Sequence, residues 1–118
     1  MRWSLFSAAL ALGAGLVEST DPISPDVFQV QFTTTVEPDP ITGTPAEPIV
    51  IEVTRAWAPL GADRFYALIN AHYFDRAAFF RVVPGFVVQF GIAALPEETA
   101  KWNTPIPDDP VLESNLIG

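Results

Sequence analysis

Residues 37–48, EPDPITGTPAEP, hold four prolines and one glycine in twelve positions. Proline lacks an N–H and fixes φ, so neither a paired strand nor a helix runs through such a stretch. This segment is an exposed loop, and the chain must be built from short elements on either side of it. The flanking residues are compatible with that. From Phe28 to Val36 the chain alternates, with Phe28, Val30, Phe32, Thr34 and Val36 on one side and Gln29, Gln31, Thr33 and Thr35 on the other. From Ile49 to Arg55 it alternates again, Ile49, Ile51 and Val53 against Val50, Glu52 and Thr54. Period-two runs rich in β-branched and aromatic residues are half-buried strands. The two are expected to pair antiparallel across the proline loop.

The period then changes. Pro59 suits the first turn of a helix, where its missing N–H costs nothing. Phe65, Leu68, Ile69 and His72 fall at i, i+3, i+4 and i+7, so a helix is expected over about Pro59–Ala71. Asp63 is assigned to its first turn, where the dipole favours an acid. His72, on the apolar side near the end, reads as a partly buried packing residue. Phe74-Asp75-Arg76 is a turn. Ala78–Val83 and Phe86–Gly91 are two more apolar strands split by Pro84-Gly85. Beyond Gly91 the pattern dissolves into a proline-punctuated acidic stretch. The order β, β, α, β, β gives a mainly β fold with one covering helix, an antiparallel sheet or partial barrel.

The N-terminus reads as a separate object. Arg2 supplies a short basic region, Trp3–Leu12 is apolar, and Gly13, Ala14 and Gly15 are small. That order is the layout of a secretory signal peptide. Residues 1–19 are expected to be such a leader, and 20–118 the domain that folds. The expected destination is secreted, endomembrane or periplasmic, with no membrane attachment once the leader is gone. An N-terminal core helix is the alternative.

Composition removes several chemistries. The 118-residue chain carries a formal charge of −8, which disfavours the counterion-displacing contacts of nucleic-acid binding. It has no cysteine and a single histidine, His72, so disulfides, thiol nucleophiles and multi-histidine metal sites are excluded. The carboxylate pairs Glu97-Glu98 and Asp108-Asp109 lie among prolines and read as solvated acidic surface. The densest feature is Phe79–Gly91, FFRVVPGFVVQFG, which sets Arg81 and Gln89 among aromatic and aliphatic side chains. A buried arginine needs a partner. One reading pairs Arg81 with a nearby acid such as Glu52; the other gives it work to do on a ligand.

Phe79–Gly91 resembles the signature of the cyclophilin family of peptidyl-prolyl isomerases: an aromatic, His or Phe, Arg, an aliphatic pair, Pro-Gly-Phe, two apolar residues, Gln and glycine. Ile49–Val53 resembles the family's second strand. Ala58-Pro59 with Phe65, Leu68 and Tyr73-Phe74-Asp75 resembles its first helix and the turn after it. Trp102, Ile106-Pro107-Asp108-Asp109-Pro110 and Ser114-Asn115 are similar to a loop of bacterial-type members. The resemblance covers about Val27 to Gly118. It implies a partial cyclophilin-like antiparallel β-barrel and isomerisation of Xaa-Pro bonds in proline-containing peptides or proteins. Arg81 then resembles the catalytic arginine, while Phe86, Gln89 and Phe80 resemble substrate-binding residues. No cofactor and no metal are implied. Position 80 is Phe where many members have His, and position 90 is Phe where many have Gly. Family members continue into further strands and the other half of the site, so the chain is expected to be the first part of a larger barrel. Open sheet edges are then expected to favour self-association, and the alternatives to an enzyme are a non-catalytic proline-peptide binding module or an inactive fragment.

Overall fold

The structure is a computed structural model that describes residues 2–7 in backbone and 21–114 in full. Three strands form one antiparallel sheet: β1 (Arg2–Ser7), β2 (Val27–Thr33) and β3 (Ile49–Thr54), in the order β1-β2-β3. A single 3₁₀ turn (Arg55–Trp57) leads into α1 (Pro59–Asn70). A separate two-stranded hairpin follows, β4 (Arg81–Val83) with β5 (Val87–Gln89), and then a short helix α2 (Pro96–Trp102). The expected antiparallel pairing across the proline loop is present, with Phe32 opposite Ile49 and Val27 opposite Thr54. The described residues form two separate antiparallel sheets and no closed barrel.

Alternation on β2 sets the core. Phe28, Val30 and Phe32 are almost wholly buried, while Val27, Gln29 and Thr33 are exposed. α1 covers this face with Ile69 fully buried, Ala62 and Ala67 nearly so, and Phe65, Tyr66 and Leu68 partly buried beside them. Phe28 meets Tyr66 edge-on at 5.3 Å between ring centroids, and Phe74 lies edge-on to Phe32 at 5.7 Å. Such pairs add specificity of orientation to the area they bury. β2 is shorter than its alternation suggests. Its register pairs end at Thr33, opposite Arg2, and Phe32, opposite Ile49. Thr34–Val36 therefore find no strand to bond, and Val36 is exposed despite its position in the pattern.

The expected leader overlaps β1. The backbone of Arg2–Ser7 is extended and pairs with β2, so a core helix does not describe those residues. The rest of the expected leader, residue 1 and residues 8–19, lies outside the described residues. Among the described residues no helix is long and apolar enough to cross a membrane.

Four local expectations are corrected. α1 ends at Asn70, and His72 lies beyond it with φ +58°. The His72 N–H donates to Ile69 O at 3.0 Å and the Tyr73 N–H to Leu68 O at 3.1 Å, which is the paired bonding of a Schellman stop. His72 thus serves the helix terminus from an exposed position, with Nδ1 3.3 Å from Asp75 Oδ2, rather than packing on the apolar face. Asp63 lies one turn further into α1 than expected and is buried. It accepts a two-pronged pair from Arg55 Nε and Nη2, both at 2.8 Å, and further bonds from the Ser24 N–H (2.8 Å) and hydroxyl (2.9 Å). Asp109 is not solvated surface. Its two carboxylate oxygens accept the N–H groups of Leu60 (3.1 Å) and Gly61 (2.9 Å). Ala58 at the N-cap has no side chain able to do so, and an acid 49 positions after Leu60 caps the helix in its place. Finally, the stretch beyond Gly91 contains α2, with Pro96 in its first turn, Glu97 and Glu98 beside it, and Lys101 in its last turn. Those are ordinary helix signals, and they were readable.

Candidate functional site

The Arg81 hairpin owes its shape to Pro84-Gly85. The Phe86 N–H donates to Val83 O at 3.0 Å, and Gly85 has φ +74°. Proline second and glycine third in a four-residue turn, with positive φ at the glycine, is a type II turn. A Cβ on Gly85 would meet nothing within 4 Å, so the requirement for glycine is one of backbone angle alone.

The turn decides which side chains meet. Strict alternation through residues 81–89 would put Arg81 and Phe86 on opposite faces. The pairs Val83–Val87 and Arg81–Gln89 close a three-residue link, 84–86, so Phe86 belongs to the turn, where strand alternation does not apply. Arg81 and Gln89 stand directly opposite one another, and directly opposed residues share a face. Arg81 Nη1 is 3.4 Å from Gln89 Oε1, at the long end of a hydrogen bond, and its guanidinium carbon is 5.8 Å from the Phe86 ring centroid. Phe80 joins through the backbone, its N–H donating to Gln89 O at 3.0 Å, with its ring about half exposed. Three of the four expected site residues are thus gathered by side chain and the fourth by main chain.

Arg81 has no ion-pairing carboxylate among the described residues. Glu52, the acid considered as its partner, accepts instead from Gln29 Nε2 at 3.1 Å. The guanidinium is exposed, with its remaining N–H groups available to a ligand. Phe86, against the guanidinium, is 75% exposed, so the ring beside Arg81 is open, while Val82 and Val88 pair with each other on the opposite face of the hairpin. Among the described residues no group of three or more His, Asp or Glu side chains is placed to hold a metal ion.

Phe90 fixes this hairpin to the core. Its ring lies 5.4 Å from Phe32, 6.2 Å from Phe74 and 5.6 Å from Phe79, edge-on in each case. The phenylalanine at position 90, a departure when read against the resemblance, is the link between site and core. Its place at the end of an apolar run was visible in the sequence, but nothing there singled it out from its neighbours.

Two comparisons bear on this arrangement. No solved structure matches the chain at a significant level. The family described as cyclophilin-type peptidyl-prolyl cis-trans isomerase/CLD matches residues 24–115, a span that takes in β2, β3, α1, the Arg81 hairpin, α2 and the Asp109 cap. With that match over most of its length, and an arginine, a glutamine and a phenylalanine drawn together on a Pro-Gly hairpin, the chain belongs to the cyclophilin-type peptidyl-prolyl cis-trans isomerase family.

Proposed function

We propose that the chain catalyses cis-trans isomerisation of Xaa-Pro bonds, with Arg81 as the catalytic residue. The observation that carries this reading is the exposed, carboxylate-free guanidinium of Arg81, held between Gln89 and Phe86. Rotation about an amide C–N bond faces a barrier of about 18–20 kcal/mol because it breaks resonance. At the twisted geometry the prolyl nitrogen regains its lone pair. A donor that meets this lone pair stabilises the twisted state more than either planar form, which is the condition for catalysis. Arginine suits the task because it stays protonated at every working pH. Phe86 offers a face to the pyrrolidine ring, with Phe80 next to the site, and Gln89 steadies the guanidinium and can bond substrate backbone. The substrates are proline-containing peptides or proteins. The leader-like residues 1–19 support export as part of the same proposal; N-terminal sequencing that found Met1 intact on the mature protein would overturn that part.

The test is isomerisation of a proline tetrapeptide by the full chain beside its Arg81→Ala variant. Loss of a donor aimed at developing charge typically costs about 100-fold or more, and a loss of that order is expected. Equal rates at the uncatalysed level would sink the enzyme reading. The openness of Phe86 favours a second reading, a module that binds proline peptides without turning them over. It is distinguished by saturable peptide binding at the hairpin with no change in isomerisation rate.

A further inference from the structure

The Arg81 hairpin is lightly attached to the rest of the fold. Its sheet is separate from the three-stranded one, and its strands pair over three residues each. A two-stranded hairpin of that size is marginal on its own. Among the described residues no hydrogen bond or ion pair joins residues 80–91 to any other part of the chain. Besides the strand ladder, their bonds are Phe80 N–H to Gln89 O, Phe86 N–H to Val83 O and Arg81 Nη1 to Gln89 Oε1, all internal to the hairpin. Of the same residues, Phe90 is the one that packs against the buried core.

The loose end of the hairpin is also the end that carries the guanidinium. Arg81 and Gln89 form the last pair of the ladder, farthest from the Pro84-Gly85 turn. Terminal pairs open most readily, being held from one side only. Just outside this pair stand Phe79, two residues before Gly85's strand partner β4 reaches Val83, and Phe90, one residue after β5 ends. Their rings meet edge-on at 5.6 Å. Phe90 continues into the core, edge-on to Phe32 at 5.4 Å and to Phe74 at 6.2 Å. Edge-on pairs resist rotation as well as separation, because a positive ring edge meets a negative face. From Phe90 the covalent path to the site is one bond long. Gln89 precedes it, accepts the Phe80 N–H on its carbonyl at 3.0 Å, and faces Arg81 Nη1 with Oε1 at 3.4 Å. At that length the side-chain contact holds an arginine weakly, so the aim of the guanidinium depends on where the backbone of Gln89 is kept. Phe86, by contrast, lies in the turn at the closed end.

We propose that Phe90 is a positioning residue for the reaction. With Phe79 it clasps the open end of the hairpin, holds Gln89 opposite Arg81, and so keeps the guanidinium aimed without touching substrate. This rests on the isomerase reading and adds to it the device that orients the catalytic group.

The experiment uses the full chain as wild type, Phe90→Ala and Val30→Ala, the last removing a fully buried core side chain outside the hairpin. Each is assayed for tetrapeptide isomerisation, and for amide exchange by NMR, at a temperature where its amide spectrum shows it folded. Phe90→Ala is expected to lower kcat about 10- to 100-fold, since a misplacement of about 1 Å is enough for that. Its KM should stay within about threefold of wild type, because Phe86 is left in place. Exchange of the Phe80 N–H should quicken about tenfold or more as the end pair opens, with the Phe86 N–H in the turn unchanged. Val30→Ala should keep the wild-type kcat. Phe90→Leu keeps apolar bulk and loses the ring edges; it is expected to fall between wild type and Phe90→Ala, and replaces the latter should that chain not fold. Turnover by wild type with an unchanged kcat in the Phe90 variants would overturn the inference and leave the isomerase reading standing. So would an equal loss of kcat in Val30→Ala, or unchanged exchange at Phe80. No turnover by wild type would overturn both.

Discussion

Replacing Asp63 by alanine removes the carboxylate that, among the described residues, ties the lead-in, the 3₁₀ turn and α1 together. Its side chain is 5% exposed, and that of Arg55, its two-pronged partner, is 28% exposed. The Ser24 N–H and hydroxyl converge on the same oxygen as Arg55 Nε. Truncating one member of a buried pair costs about 3–5 kcal/mol, because the other charge is left without compensation. Arg55 keeps some access to water, so the lower end applies, about 3 kcal/mol. For a domain of this size, about 4–8 °C per kcal/mol converts that to a fall in Tm of about 12 °C or more. Asp63→Asn keeps the shape and an acceptor and loses the charge, so it should fall between the variant and the wild type. The pH dependence gives a second handle. Burial pushes the Asp63 carboxyl up, and the bonds from Arg55 and Ser24 with the Arg55 charge outweigh burial, leaving its pKa below the ordinary value. A group depressed on folding stabilises fully above its unfolded pKa of about 3.9 and loses that contribution as pH falls through the folded value. Urea denaturation of wild type and Asp63→Asn from pH 7 to pH 3 should therefore show a gap that is constant down to about pH 4 and narrows below it. An Asp63→Ala chain within about 1 kcal/mol of wild type, against the 3 expected, would refute the reasoning. So would a gap that does not change with pH.

Two further outcomes follow from backbone geometry. Gly85→Ala places a side chain at φ +74° with no neighbour to clash with, so its cost is the left-handed backbone alone, about 1–2 kcal/mol; thermal unfolding measures this, and tetrapeptide turnover should fall with it as the Arg81–Gln89 register loosens. Asp109→Ala strips the cap from Leu60 and Gly61 and should lower stability by about 1 kcal/mol. A urea midpoint unchanged from wild type would show that water caps the helix equally well.

Much of the fold was legible because it depends on local pattern. Phe28, Val30 and Phe32 announce a one-sided strand whatever covers them. Pro59 and the Phe65–Leu68–Ile69 spacing announce α1 to within a residue of its observed end. His72 was misplaced because periodicity carries no stop signal, and here the stop is made by a left-handed residue that is not glycine. Among the site residues, Arg81, Phe86 and Gln89 could be named from type and order. Period-two counting already puts Arg81 and Gln89 on one face; Phe86 joins them because it sits in the turn, which no strand count describes.

Local pattern was enough for β2, β3, α1, the proline loop between β2 and β3, and the chemistry available: one arginine hairpin, no thiol, a single histidine. These follow from backbone restriction and side-chain type, which act within a few residues. Only the tertiary structure decided what distant groups do to one another. It turned Asp109 from a surface acid into the cap of a helix 49 positions earlier, and it paired Asp63 with Arg55 and Ser24 in the interior. It made Phe90 the link between site and core, and it left Arg81 without the carboxylate that Glu52 was free to offer. Hydrogen bonds and ion pairs act over about 3–4 Å, and no count along the chain says which residues the fold will bring that close.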